Sequence, residues 1–102
     1  MDKYQIIISS KAQSDLSECV SFVLNVSKEA AIKLSDDVFN AIESLSNFPE
    51  SNPIFEMPSA FPLIVRKKVV NRRYLLLYCV EEESKIVIYR ILDSRRKFSS
   101  LL

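Results

Sequence analysis

The chain has 102 residues, 48% of them hydrophobic and 26% charged, with a formal net charge of +1. That is enough for one packed domain spanning 1–102, too little for two, and too apolar to stay disordered. It contains no His and no Gly, which excludes imidazole acid–base work, Ser-His-Asp and Cys-His triads, His-ligated metals, P-loops and GxGxxG dinucleotide loops.

The start, Met1-Asp2-Lys3-Tyr4, lacks a basic segment followed by a long apolar run, and apolar runs elsewhere are short. The expectation is a cytoplasmic chain with no signal peptide and no membrane span. Cys19 and Cys79 are far apart and form no CxxC pair, so they read as reduced, buried small hydrophobes. No metal or organic cofactor is expected. The small net charge hides an asymmetry. Residues 1–50 carry a net −4 and residues 51–102 a net +5. The second half has the balance of a surface that meets phosphate or an acidic partner, or of an ordinary solvated Lys/Arg face.

Tyr4 to Ser9 is short, β-branched and bounded by serines, and predicts a first strand. Ser9 or Ser10 then caps a helix in which Ala12, Leu16, Cys19, Val20 and Val23 recur at helical spacing. Ser27 caps a second helix, with Glu29 in its first turn and an apolar stripe of Ala31, Leu34, Val38, Ala41, Ile42 and Leu45; Pro49 ends it. Residues 48–62 hold all four prolines and read as an irregular connection whose Phe55, Met57 and Phe61 pack on the core.

Three strands follow, at 63–70, 73–81 and 85–92. Asn71-Arg72 is a tight turn between the first two, since Asn tolerates positive φ, and Glu82, Glu83 and Ser84 turn between the last two. Short connections make these strands antiparallel neighbours. Residues 93–102 allow one final helical turn. Alternation places Arg66 and Lys68 on one face with Ile64 and Val70, and Lys67 on the other with Leu63, Val65 and Val69. In the next strand Arg73, Leu75, Leu77 and Cys79 alternate with Tyr74, Leu76, Tyr78 and Val80, so both faces are apolar. Helices on one side leave the other face needing a cover, either the chain's own tail or another protein. The class is α+β: strand, helical hairpin, then a three-strand antiparallel meander.

This order resembles the RelE/ParE toxin superfamily over nearly the whole chain. The matching segments are Ser9-Ser10-Lys11-Ala12-Gln13-Ser14-Asp15-Leu16, then Ala41-Ile42-Glu43-Ser44-Leu45 followed by Pro49. Tyr74 and Tyr78 match the Tyr-x-x-x-Tyr strand of the ParE branch. Arg90-Ile91-Leu92-Asp93-Ser94-Arg95-Arg96 is similar to that branch's closing Arg-x-Leu-His-x-Arg-Arg, with Asp93 in place of His. The resemblance implies a growth-inhibiting toxin of a bacterial type II toxin–antitoxin pair, of the kind tied to plasmid stabilization. Its partner is a small antitoxin that wraps the toxin with an extended and helical segment.

The resemblance carries two mechanisms. One is a ParE-like inhibitor acting by protein contact, with DNA gyrase as target. The other is a RelE-like, ribosome-dependent, metal-independent endoribonuclease cleaving mRNA. Cleavage by 2′-OH attack needs a base, cations for the phosphorane charge and an acid. Arg66, Lys68 and Arg96 (or Arg95 with a one-residue shift) match basic positions of the ribonucleases. Leu75 stands where they carry Arg, and Leu102 falls near the place of a C-terminal Tyr. Beside Arg95 and Arg96, Asp93 is a weak base, and Tyr89 is the aromatic nearest to replacing the lost Tyr. These departures rank the inhibitor first; a degenerate toxin that only binds its antitoxin is a third reading. Arg73, Leu75, Leu77, Arg95, Arg96 and Lys97 are the contact residues expected toward target or antitoxin. Each has a plainer alternative: Arg66 and Lys68 as a strand's polar face, Arg90 as a structural arginine, Tyr74 and Tyr78 as core. No recognition helix is visible, so sequence-specific DNA binding by this chain alone is not expected.

Overall fold

The computed structural model describes residues 4–58, 60–82 and 84–94. Strand β1 (Gln5–Ile8) leads into helix α1 (Ser10–Leu24) and, after a short elbow, helix α2 (Lys28–Ser44). A 3-10 turn at Pro49–Ser51 precedes β2 (Ile54–Phe55), and the meander β3 (Val65–Val70), β4 (Tyr74–Glu81) and β5 (Lys85–Asp93) follows. The five strands form one sheet in the order β1-β5-β4-β3-β2, with β1 parallel to β5 and the other pairs antiparallel.

Both helices begin as their sequences predict. The Ser9 hydroxyl accepts from the Ala12 amide at 3.0 Å, and the Ser27 hydroxyl from the Ala30 amide at 3.1 Å, each satisfying one of the open donors of a first turn. The apolar stripes of the hairpin then bury against one face of the sheet. Ala12, Leu34, Val38, Ile42 and Leu45 pack on Val70, Tyr74, Leu76, Tyr78, Ile86, Ile88 and Ile91. Among the described residues no helix is long and apolar enough to cross a membrane. Cys19 and Cys79 are both buried and form no disulfide.

Three details depart from the sequence expectation. The second predicted strand begins at Val65 rather than 63, because Leu63 and Ile64 just after Pro62 remain exposed. The proline-rich connection contains a strand, β2, in which Ile54 and Phe55 pair with Arg66 and Val65. In β5 the pairing shifts by one between Leu77 and Tyr78 of β4, so that Arg90 lies opposite Leu77 and Ile88 opposite Tyr78. Tyr89 is therefore the extra residue of a β-bulge. The bulge lets Ile88 and Ile91 both enter the helix-side core, while Tyr89 and Leu92 pack on the other face.

Candidate functional site

The face of the sheet opposite the helices is apolar, as the alternation in β4 requires. Val65, Leu75, Leu77 and Cys79 form its centre, with Phe55, Met57, Phe61, Tyr89 and Leu92 packed on them. The cover is thus the chain's own proline-rich connection, where the sequence expectation invoked the tail or a second protein. Leu77 retains 1% of its surface and Leu75 9%. These two leucines form the floor of this face rather than its presented surface. What stays open is beside them. Val69, across β3 from Leu75, is 53% exposed.

Tyr89 is fixed on this face. Its ring meets Phe61 edge to face with centroids 6.4 Å apart, and its hydroxyl donates to Glu81 Oε2 at 2.7 Å. Burial first, and then the bond and charge of Glu81, push its phenol up to about 12. A phenol so placed stays protonated at neutral pH and is a poor general base. Burial, with Glu81 adding to it, likewise raises the Cys79 thiol to about 11, which keeps it a thiol.

Arg66 points to the helix side. Its Nη1 donates to the Asn52 carbonyl at 2.8 Å. Asn52 Nδ2 in turn donates to the Tyr78 hydroxyl at 2.9 Å, and that hydroxyl donates to the Pro49 carbonyl. Arg66 and Tyr78, directly paired across β3 and β4, therefore clamp the 3-10 turn. Lys68 pairs with Leu76 two residues further along and is half-buried. Tyr74 and Tyr78 are both core.

Arg90 binds Asp15 of α1. Its Nε lies 2.7 Å from Oδ2 and its Nη2 3.1 Å from Oδ1, and the Ile91 amide donates to Oδ2 at 3.0 Å. The fork ties α1 to the bulged strand, so Arg90 is the structural arginine its apolar neighbours suggested. Asp93 lies at the end of β5 opposite Tyr74. With Arg73, Phe22, Val23 and Val26 it lines a groove of about 540 Å³ at the elbow of the hairpin. Arg73 also stands over the Tyr74 ring, 5.8 Å from its centroid. Arg95, Arg96 and Lys97 lie outside the described residues. Among the described residues no group of three or more His, Cys, Asp or Glu is placed to hold a metal.

The bulged five-stranded sheet packed against its helical hairpin makes a small two-layer α+β fold, and solved structures share it. The chain is similar to a solved structure described as the chromosomal ParDE toxin–antitoxin system from P. aeruginosa, at 23% identity and a TM-score of 0.68, covering 88% of this chain and 95% of that one. It is similar also to the toxin–antitoxin complex RelBE2 from Mycobacterium tuberculosis, at 21% identity and a TM-score of 0.58, covering 91% and 93%. None of the curated proteins matches it. The model of the ParE toxin of the type II toxin–antitoxin system parDE matches residues 6–98. The chain belongs to that family.

Proposed function

We propose that this chain is a ParE-like inhibitor that acts by protein contact on DNA gyrase and is held inactive by a cognate antitoxin. The observation that carries the reading is the commitment of Arg66. A phosphorane-stabilising cation must face the scissile phosphate, whereas this guanidinium is spent on the Asn52 carbonyl on the helix side of the sheet. Leu75 supplies no charge at its position, and Tyr89 is held protonated by burial and Glu81. Both commitments favour inhibition by contact over 2′-OH attack. The antitoxin would meet the open sheet face beside Val69 and Arg73, with Leu75 and Leu77 as its floor. The likeness to two toxin–antitoxin complexes supports a protein partner of that kind.

A supercoiling assay with purified gyrase tests the target. The purified chain is expected to lower supercoiling and trap cleaved DNA, and added antitoxin to restore activity; unchanged supercoiling at saturating toxin would refute gyrase as the target. The ribonuclease stays as the second reading because Lys68 and the Arg95–Arg96 pair keep the positions the resemblance gives them.

A further inference from the structure

The β3–β4 hairpin concentrates charge of one sign. From Met57 to Val80 the sequence has five cations, Arg66, Lys67, Lys68, Arg72 and Arg73, and no acid. Arg66 is taken up by Asn52, which leaves four. Lys67 and Lys68 lie on β3 where β2 has ended, since β2 pairs only with Val65 and Arg66. Arg72 and Arg73 are exposed at the tip. The four lie within about 15 Å along the hairpin, Lys67 on the sheet face opposite the helices and Lys68 on the helix side.

The tip is rigid. Asn71 and Arg72 both take positive φ, 55° and 62°, as a primed turn requires, and the Arg73 amide closes it on the Val70 carbonyl at 3.1 Å. Asn71 Nδ2 donates to Asp37 Oδ2 of α2 at 2.8 Å, and Lys33 Nζ lies 3.0 Å from the same oxygen. The carboxylate nearest the turn is thus already shared between an amide and an ammonium. Asp93 is the nearest acid on β5 and lies in the adjoining groove with Arg73. At Arg72 the left-handed backbone favours Gly or Asn, and the chain places a long cation there.

We propose that this hairpin binds the phosphate backbone of duplex nucleic acid without reading its sequence. Between Lys67 and Tyr74 the hairpin has four cations and Val69 as its exposed large hydrophobic. Protein interfaces centre on apolar or aromatic anchors, whereas phosphate contacts need donors and charge alone. A duplex presents one charge per roughly 1.7 Å of its axis, so the two tip arginines and the lysine on the facing side can meet about three phosphates at once. The inference goes beyond the gyrase reading and holds for either target, since both work on nucleic acid.

The test is fluorescence anisotropy of a labelled DNA duplex of about twenty base pairs, in two unrelated sequences, with the full chain between about 50 and 200 mM salt. Equal affinity for both sequences is expected, with log K falling against log salt at a slope of roughly −3. Arg72→Gly is the decisive variant, because glycine relieves the turn. It should unfold at a higher temperature than the parent and yet bind with a slope shallower by about one. Arg73→Ala should do the same to the slope. No binding at the lowest salt, or an Arg72→Gly protein that binds like the parent, would overturn the proposal. So would displacement of the duplex by poly-glutamate at a lower charge concentration than by unlabelled DNA, which would point to an acidic protein segment instead.

Discussion

Asp15 and Arg90 are 75 positions apart and meet through three hydrogen bonds, one of them from the Ile91 amide. Both side chains are mostly covered, 11% and 23% exposed. Changing Asp15 to Asn removes the charge while keeping the shape, and leaves the guanidinium half-buried without its counter-ion. A loss of about 2–3 kcal/mol in urea unfolding is expected; a loss under about 0.5 kcal/mol would mean that water already screens the pair. The sequence made Arg90 legible as structural from its apolar neighbours, but not its partner, because Asp15 reads only as the polar side of a helix. Tyr89 carries a pH prediction. Its folded phenol is raised from 10.0 to about 12, so the folded state keeps its proton where the unfolded chain has lost it. Stability from this group is fully present below pH 10 and is lost as pH rises toward about 12. Tyr89→Phe should flatten the fall of stability in that window, and an unchanged alkaline profile would show that the Glu81 contact does not hold in solution.

At the scale of elements, the helices were readable because cap and stripe agree: Ser9 and Ser27 lie where the amphipathic periods begin. The tight turn at Asn71-Arg72 was readable for the same reason, since Asn is one of few residues that accept its backbone. Strand β2 was not, because two residues show no alternation and the surrounding prolines argue for irregular chain. The bulge was not readable either. Strict alternation in β5 puts Ile88 and Ile91 on opposite faces, and only the inserted Tyr89 brings both to the core. The cover of the second sheet face was half legible. Phe55, Met57 and Phe61 were expected to pack, yet nothing in their spacing says that they pack on Leu75 and Leu77. Phe61→Ala should uncover this face, costing about 2 kcal/mol and increasing binding of a hydrophobic dye. Stability and dye binding equal to the parent would mean that the connection does not shield the face.

Across the whole molecule, two apolar faces divide the labour. The helix-side face supplies the main core, and the opposite face is floored by β4 and partly roofed by the proline-rich connection, with Val69 and the basic hairpin beside the roof. The candidate site was legible mainly as charge. Composition put the cations in the second half, but it could not show that Arg66 turns inward to clamp the 3-10 turn while Arg72 and Arg73 stand at an exposed tip. That division supports the proposed reading of an inhibitor by contact. The most direct measurement is a short induction of this chain in bacteria lacking the antitoxin, with mRNA ends and gyrase–DNA complexes scored in the same cells. Intact mRNA together with trapped gyrase–DNA complexes is expected. Codon-phased mRNA cuts that vanish on changing Arg66, Lys68 or Arg96 would contradict it, and so would growing cells with folded protein and neither signal, the behaviour of a degenerate toxin.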